Sequence, residues 1–154
     1  MEPSELQAAV VTLDPSHQVR EKADRPAVAV TLECFLSTMK KLKEDPFFGF
    51  DMLCAHAAID WPKEERIELV YQLYSTLNQH YLMISLSLPR ANPVAPSVCS
   101  LWKIAEWQER EVYDLFGVLY SSHPDLRRVF LEDDWQGFPL RKDYQDDFIL
   151  GRPW

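Results

Sequence analysis

Apolar residues recur at two distinct periods along this chain. From Glu33 to Glu44 they fall at Phe35, Leu36, Met39 and Leu42, the spacing of one helix face, with Asp45-Pro46 as the stop. Glu5–Leu13 reads as a shorter helix entered at Pro3-Ser4, with Ser4 as its cap and Asp14-Pro15 as its end. Elsewhere the period is two. Pro26–Leu32 is rich in small and β-branched residues, and Phe50–Asp60 and Arg66–Thr76 read as antiparallel strands joined through residues 61–65. In the second of these, Ile67, Leu69, Tyr71 and Leu73 alternate with Glu68, Val70, Gln72 and Tyr74. His80–Leu88 repeats the alternation, with Leu82, Ile84, Leu86 and Leu88 on one face.

A loop studded with Pro89, Pro93 and Pro96 follows, and Ser97 opens a helical segment that runs in two pieces to Phe116, with Gly117 as its C-terminal stop. Residues 122–128 predict one helical turn, and glycine, proline and charge from Asp134 onward predict an extended arm. The expected fold is α+β, a mostly antiparallel sheet with helices packed on one side. Residues 1–133 form the domain and residues 134–154 the arm.

Composition narrows the function. The 154 residues are 47% hydrophobic and 12% aromatic, enough for a globular core without staples. A net charge of −8 weighs against nucleic acid, whose phosphates are met by clustered Lys and Arg. Cys34, Cys54 and Cys99 lie far apart, with no CxxC and no histidine at zinc spacing; small buried thiols and no iron–sulfur cluster are expected. The acidic N-terminus carries neither a signal nor a transit pattern, and no run approaches the ~20 apolar residues of a membrane span. The expectation is a soluble chain that reaches a membrane only through a partner.

The stretch 106–117, EWQEREVYDLFG, concentrates charge and aromatics. On a helix, Trp102, Ala105, Glu109, Val112 and Phe116 share one stripe, while Trp107, Arg110, Glu111 and Asp114 cover the opposite side. Glu106→Arg110 and Arg110→Asp114 are i,i+4 pairs, so a salt-bridged solvated helix is the plain reading. Trp107 and Tyr113 lie off the apolar stripe, where aromatics serve as interface anchors. A metal box is disfavoured: Glu109 and Glu111 point roughly 200° apart on a helix, and no ExxH pair is present. Acid–base catalysis would need His17, His56, His80 or His123 brought to a nucleophile, and no GxSxG, HExxH or phosphate-loop motif occurs. His123 precedes Pro124, where it can cap the turn or reach a carboxylate. Arg127, Arg128, Arg141 and Lys142 lie among acids, which reads either as solvated surface or as Arg–carboxylate clamps. Trp135, Phe138 and Tyr144 must pack on this domain or on a partner.

Glu-Arg-Glu-x-x-Asp-Leu-Phe-Gly at 109–117, His-Pro-Asp-Leu-Arg-Arg at 123–128 and Trp-x-Gly-x-Pro-Leu-Arg-Lys-Asp-Tyr at 135–144 together form a recognisable series. The series resembles the C-type subunit of respiratory complex I, the proton-pumping NADH:quinone oxidoreductase. This is the family called the 30 kDa subunit in mitochondria. The resemblance is strong from Phe50 to Tyr144 and compositional before it.

It implies a scaffold subunit of the hydrophilic arm on the cytoplasmic face of a bacterial inner membrane. Such a protein binds no flavin, cluster or quinone of its own, those cofactors sitting in partner subunits; no catalytic and no metal-binding residue is expected in this chain. It implies packing against the 49 kDa-type (D-type) quinone-module protein, near the B-type and I-type subunits. By the same resemblance, Trp107, Glu109, Arg110, Glu111 and Asp114 organise a helix and its interface; His123, Arg127 and Arg128 fix the next turn; and Trp135, Arg141, Lys142, Asp143 and Tyr144 anchor the arm. Phe138 stands where the family usually has histidine, and the short stretch after Tyr144 implies no long tail and no fusion to the 49 kDa-type protein. A membrane-bound hydrogenase or a ferredoxin-dependent relative of the same ancestry remains an alternative setting, as does a stand-alone acid–base enzyme using Glu109, Glu111 or His123.

Overall fold

The computed structural model describes residues 2–21 and 23–147. Five strands form one sheet in the order β1-β2-β5-β4-β3, where β1 is Gln18–Val19, β2 Ala27–Val30, β3 Met52–Trp61, β4 Arg66–Ser75 and β5 His80–Pro89. Within this sheet β2 and β5 pair in parallel and the other neighbours are antiparallel. The fold is α+β as the alternation predicts, because a period-two pattern with one apolar face specifies a half-buried antiparallel strand. Ile67, Leu69, Tyr71 and Leu73 of β4, and Leu82, Ile84, Leu86 and Leu88 of β5, form the buried face.

Three helices pack on that face: α1 (Pro3–Val11) through Leu6 and Val10, α2 (Leu32–Glu44) through Phe35, Met39 and Leu42, and α3 (Ala105–Phe116) through Ala105 and Val112. The opposite face, with Ile59, Trp61, Val70 and Met83, borders an open groove of about 780 Å³. No helix among the described residues is long and apolar enough to cross a membrane.

Several local expectations are corrected. Helix α1 starts at Pro3, and Glu2, not Ser4, forms a capping box with Glu5. The segment after Ser97 is a series of turns, and α3 is regular only from Ala105, since Glu109 of α3 takes the backbone N–H of Val98 at 2.7 Å. Residues 94–96 (β6) and 119–121 (β7) form a separate parallel pair, too short to leave a periodic signal. Residues 122–128 form no helical turn. Cys54 is exposed at an irregularity between Leu53 and Ala55, so not every thiol is buried.

A buried ring stack joins the sheet to this second layer. His56 lies 4.1 Å from Tyr71, nearly parallel to it, donates from Nδ1 to the Val70 carbonyl at 3.1 Å and accepts the Tyr120 hydroxyl at 2.5 Å. Burial pushes His56 down from 6.5 to about 4. Between those values the unfolded chain binds the proton and the native ring does not. The contribution of His56 to stability is therefore full at neutral pH and declines by about 3 kcal/mol as pH falls through this window. Imidazole resonances followed by NMR should show His56 neutral at pH 5; a midpoint near 6.5 would contradict the burial argument.

Candidate functional site

Helix α3 carries two fully buried carboxylates, Glu109 and Asp114, which reach in opposite directions along the chain. Glu109 reaches back. It accepts the Ser97 hydroxyl at 2.6 Å, the Val98 amide at 2.7 Å and the Cys99 thiol at 3.3 Å. Asp114 reaches forward. It accepts Arg128 at 2.8 Å and three successive backbone amides, Val129, Phe130 and Leu131, at 2.9, 2.7 and 3.1 Å.

The two groups titrate in opposite senses. Burial raises Glu109, and its neutral donors, with His123 nearby, do not offset it. Burial also acts upward on Asp114, but Arg128 and the three amides outweigh it and hold the carboxyl below its usual range.

The expected i,i+4 pairs are replaced by longer-range partners. Arg110 is buried; its guanidinium donates to the carbonyls of Arg127 and Arg128 at 3.3 and 3.4 Å, approaches Asp125 at 4.0 Å and lies 4.8 Å from the centre of the Trp107 ring. Periodicity placed Arg110 and Asp114 on the outer side as polar residues, and tertiary partners draw both inward. Trp107 and Glu111 do face outward, Trp107 with 56% of its surface exposed.

His123 donates from Nε2 to the Glu106 carbonyl at 3.1 Å and accepts the Asp125 amide on Nδ1 at 3.0 Å. That tautomer leaves no lone pair for a substrate proton, although Nε2 is 3.9 Å from Glu109. Arg127 is exposed and meets Asp125 at 2.9 Å. The grouping of Glu109, Cys99 and His123 is a packed junction, and the open groove on the far face of the sheet includes none of them.

Residues 140–143 are fastened to α3 and to the sheet. Leu140 donates its amide to the Leu115 carbonyl at 3.0 Å, and Arg141 donates to the Phe116 carbonyl at 2.7 Å. Asp60 accepts the Lys142 amide at 2.8 Å and both Nε and Nη2 of Arg90, which also holds Asp143 at 2.6 Å. Burial opposes the ionised Asp60, but the Arg90 hydrogen bonds dominate and hold it below the usual carboxylate range. Phe138 sits between the guanidinium groups of Arg128 and Arg141, 5.4 and 5.3 Å from its ring centre. A Cβ on Gly117, at φ +74°, would meet that ring at 2.5 Å, so glycine is required there twice over. Tyr144 covers Gly137, where a Cβ would come within 2.9 Å of its ring. Trp135 is half-buried, and its carbonyl accepts Arg128 at 3.1 Å. Residues 148–154 of the expected arm lie outside the described residues.

Sequence reasoning missed Asp60, Arg90, Ser97 and Cys99. Asp60 left one signal: it shares the inward register of β3 with buried His56, opposite Ile67 of β4.

The molecule is thus an α+β domain in which buried Glu109, Arg110, Asp114 and Asp60 fasten loops and the C-terminal stretch, while buried Glu68 pairs with Arg20 and Arg66 on the far face of the sheet. The comparisons give it a family. The family model described as "Respiratory-chain NADH dehydrogenase, 30 Kd subunit" matches residues 28–147, and the chain belongs to that family. The C-type subunit of NADH-quinone oxidoreductase from Moorella thermoacetica is 43% identical over 133 residues, covering 86% of this chain and 88% of the relative. The protein of the same name from Geotalea uraniireducens is 38% identical over 128 residues, covering 82% and 77%. Among solved structures, a chain of the membrane-bound sulfane sulfur reductase, an archaeal respiratory membrane complex, superposes with TM-score 0.78 at 26% identity, covering 92% of this chain and 85% of that one. The trypsin-resistant fragment of Nqo5 superposes with TM-score 0.69 at 26% identity, covering 82% of this chain and all of the fragment.

Two outcomes test this geometry. Asp114→Asn removes the charge facing Arg128 and should lower unfolding stability by about 3 kcal/mol, the cost of breaking a buried pair, in urea titrations. Asp60→Ala should release the arm without unfolding the sheet, so that trypsin cuts after Arg141 and Lys142 about tenfold faster, as ~1.4 kcal/mol of lost docking predicts.

Proposed function

We propose that the chain is a non-catalytic scaffold subunit of the peripheral, quinone-module arm of a proton-translocating NADH:quinone oxidoreductase. The observation that carries this reading is the internal use of the charges of α3. Glu109, Arg110 and Asp114 are consumed in holding residues 97–98 and 125–131, which supports a positional role over turnover. The outward surface they fix includes Trp107, Glu111, Val129, Phe130 and Leu140, with Phe130 65% exposed. Large apolar side chains held rigidly outside are what an interface uses as anchors.

The partners in this reading are the 49 kDa-type (D-type) protein of the quinone module, with the B-type and I-type subunits close by. Flavin, iron–sulfur clusters and quinone belong to partner subunits, and this chain carries none of the three. The complex meets the membrane on the cytoplasmic side. The work is positional: it keeps the quinone-binding partner in register with its electron donor, where ~1 Å of misplacement can cost about 10²-fold in rate.

A second setting has a specific observation in its favour. The likeness to a chain of an archaeal sulfane sulfur reductase covers 92% of this chain, so the same scaffold role could serve a hydrogenase-type or ferredoxin-dependent membrane complex. Affinity purification from the native membrane separates the two. Recovery of flavin- and cluster-bearing NADH-oxidising subunits supports the first reading. A nickel-site or sulfur-reducing partner without them supports the second, and recovery of the chain alone would count against both. Trp107→Ala should weaken recovery of the partners, by about 30-fold in affinity if the ring is a ~2 kcal/mol anchor. It should leave the melting temperature of the free chain within a few degrees, because the ring is largely outside the core.

A further inference from the structure

Far from α3, three ligand-type side chains converge where the α1–β1 connection meets the start of α2. Asp14, His17 and Cys34 bring one ligand atom each within 4.8 Å of the others. The turn Asp14–Pro15–Ser16–His17 is closed by the His17 amide donating to the Asp14 carbonyl at 3.1 Å. His17 donates from Nδ1 to the Val10 carbonyl at 2.9 Å, which fixes the tautomer and leaves the Nε2 lone pair pointing inward. That lone pair meets the Thr38 hydroxyl at 3.1 Å and the Cys34 sulfur at 3.4 Å.

The spacing has a chemical meaning. Zinc bonds of ~2.3 Å to sulfur and ~2.0 Å to nitrogen, opened at a tetrahedral angle, put those two atoms about 3.5 Å apart. Both described hydrogen bonds to the Asp14 carboxylate, from the Ser16 amide at 2.8 Å and the Ser16 hydroxyl at 2.5 Å, fall on Oδ1, so Oδ2 can turn to an ion. His17 and Cys34 are buried while Asp14 is half-buried, which gives an entry path. A thiolate, a carboxylate and a neutral imidazole carry charge −2 and match a divalent ion. The Thr31 hydroxyl, 3.2 Å from the sulfur, would support the thiolate.

We propose that Asp14, His17 and Cys34 bind one zinc-class divalent transition-metal ion, with water or the Thr38 hydroxyl as fourth ligand, and that the ion clasps the α1–β1 loop to α2. A second convergence, of Cys99, Glu109 and His123, is unsuited to this role: the Glu109 oxygens are taken by Ser97, Val98 and Cys99, and the His123 Nε2 proton goes to a carbonyl. The sequence expectation of no metal rested on spacing along the chain, which hides a cysteine 17 residues from its histidine.

Titrating the full chain with Co²⁺ as probe tests the site. One equivalent should give a thiolate-to-cobalt charge-transfer band and the strong visible bands of a tetrahedral ion, both displaced by Zn²⁺. The charge-transfer band should vanish in Cys34→Ser and His17→Gln and persist in Cys54→Ser and Cys99→Ser. Zinc at 100 times its dissociation constant should raise the melting temperature by about 5–10 °C and protect Cys34, identified by peptide mapping, from alkylation until a chelator is added. The last two readouts use the unaltered chain and hold even if a variant misfolds. No band in the folded chain, or a charge-transfer band that survives Cys34→Ser, would overturn the proposal.

Discussion

The buried carboxylate of Asp114 holds together the stretch after β7, which among the described residues has no regular secondary structure. It meets three consecutive backbone amides, residues 129–131, and a guanidinium that itself donates to the Asp114, Trp135 and Gly137 carbonyls. Loop amides that a helix or a sheet would have satisfied must find acceptors elsewhere. Here one ionised group supplies them, and the accompanying arginine supplies donors to the carbonyls of the following turn. Residues 128–137 thus gain a hydrogen-bonding framework without becoming a helix or a strand.

Glu109 does the complementary job five residues earlier. It holds Ser97 and Val98, next to the parallel pair of β6 and β7. Helix α3 therefore works as a two-ended clamp whose upstream grip is neutral-donor chemistry and whose downstream grip is an ion pair. The arm extends the same logic to the sheet, since Asp60 on β3 holds Arg90 beyond β5 and the Lys142 amide together. Phe138 fills the space over Gly117 with an apolar ring between two arginines.

Much of the sheet was legible because β4 and β5 alternate with one buried face over ten residues each. The three motifs that carry the family resemblance were equally plain as strings of residues. What could not be read was the direction in which the charges of α3 point. Helical periodicity sorts residues by polarity, so it assigned Arg110 and Asp114 to solvent; partners 14 to 18 residues away override that sorting. Short elements such as β6 and β7 fall below the length at which alternation says anything. The junction of Cys34 with His17 depends on a turn and a helix start meeting in space, and spacing along the chain carries no trace of it.

Replacing a buried ion pair by apolar residues of similar volume is often neutral or stabilising, so stability alone is a weak reason for the charges of α3. Their geometry offers another. An apolar contact tolerates sliding, whereas a carboxylate engaged by three amides and an arginine accepts one placement of the loop. A domain that only had to stay folded could bury leucine at these positions. A domain that must present Trp107, Phe130 and Leu140 at fixed points of its surface gains from a directional core, because each misplaced anchor loses its counterpart on a partner.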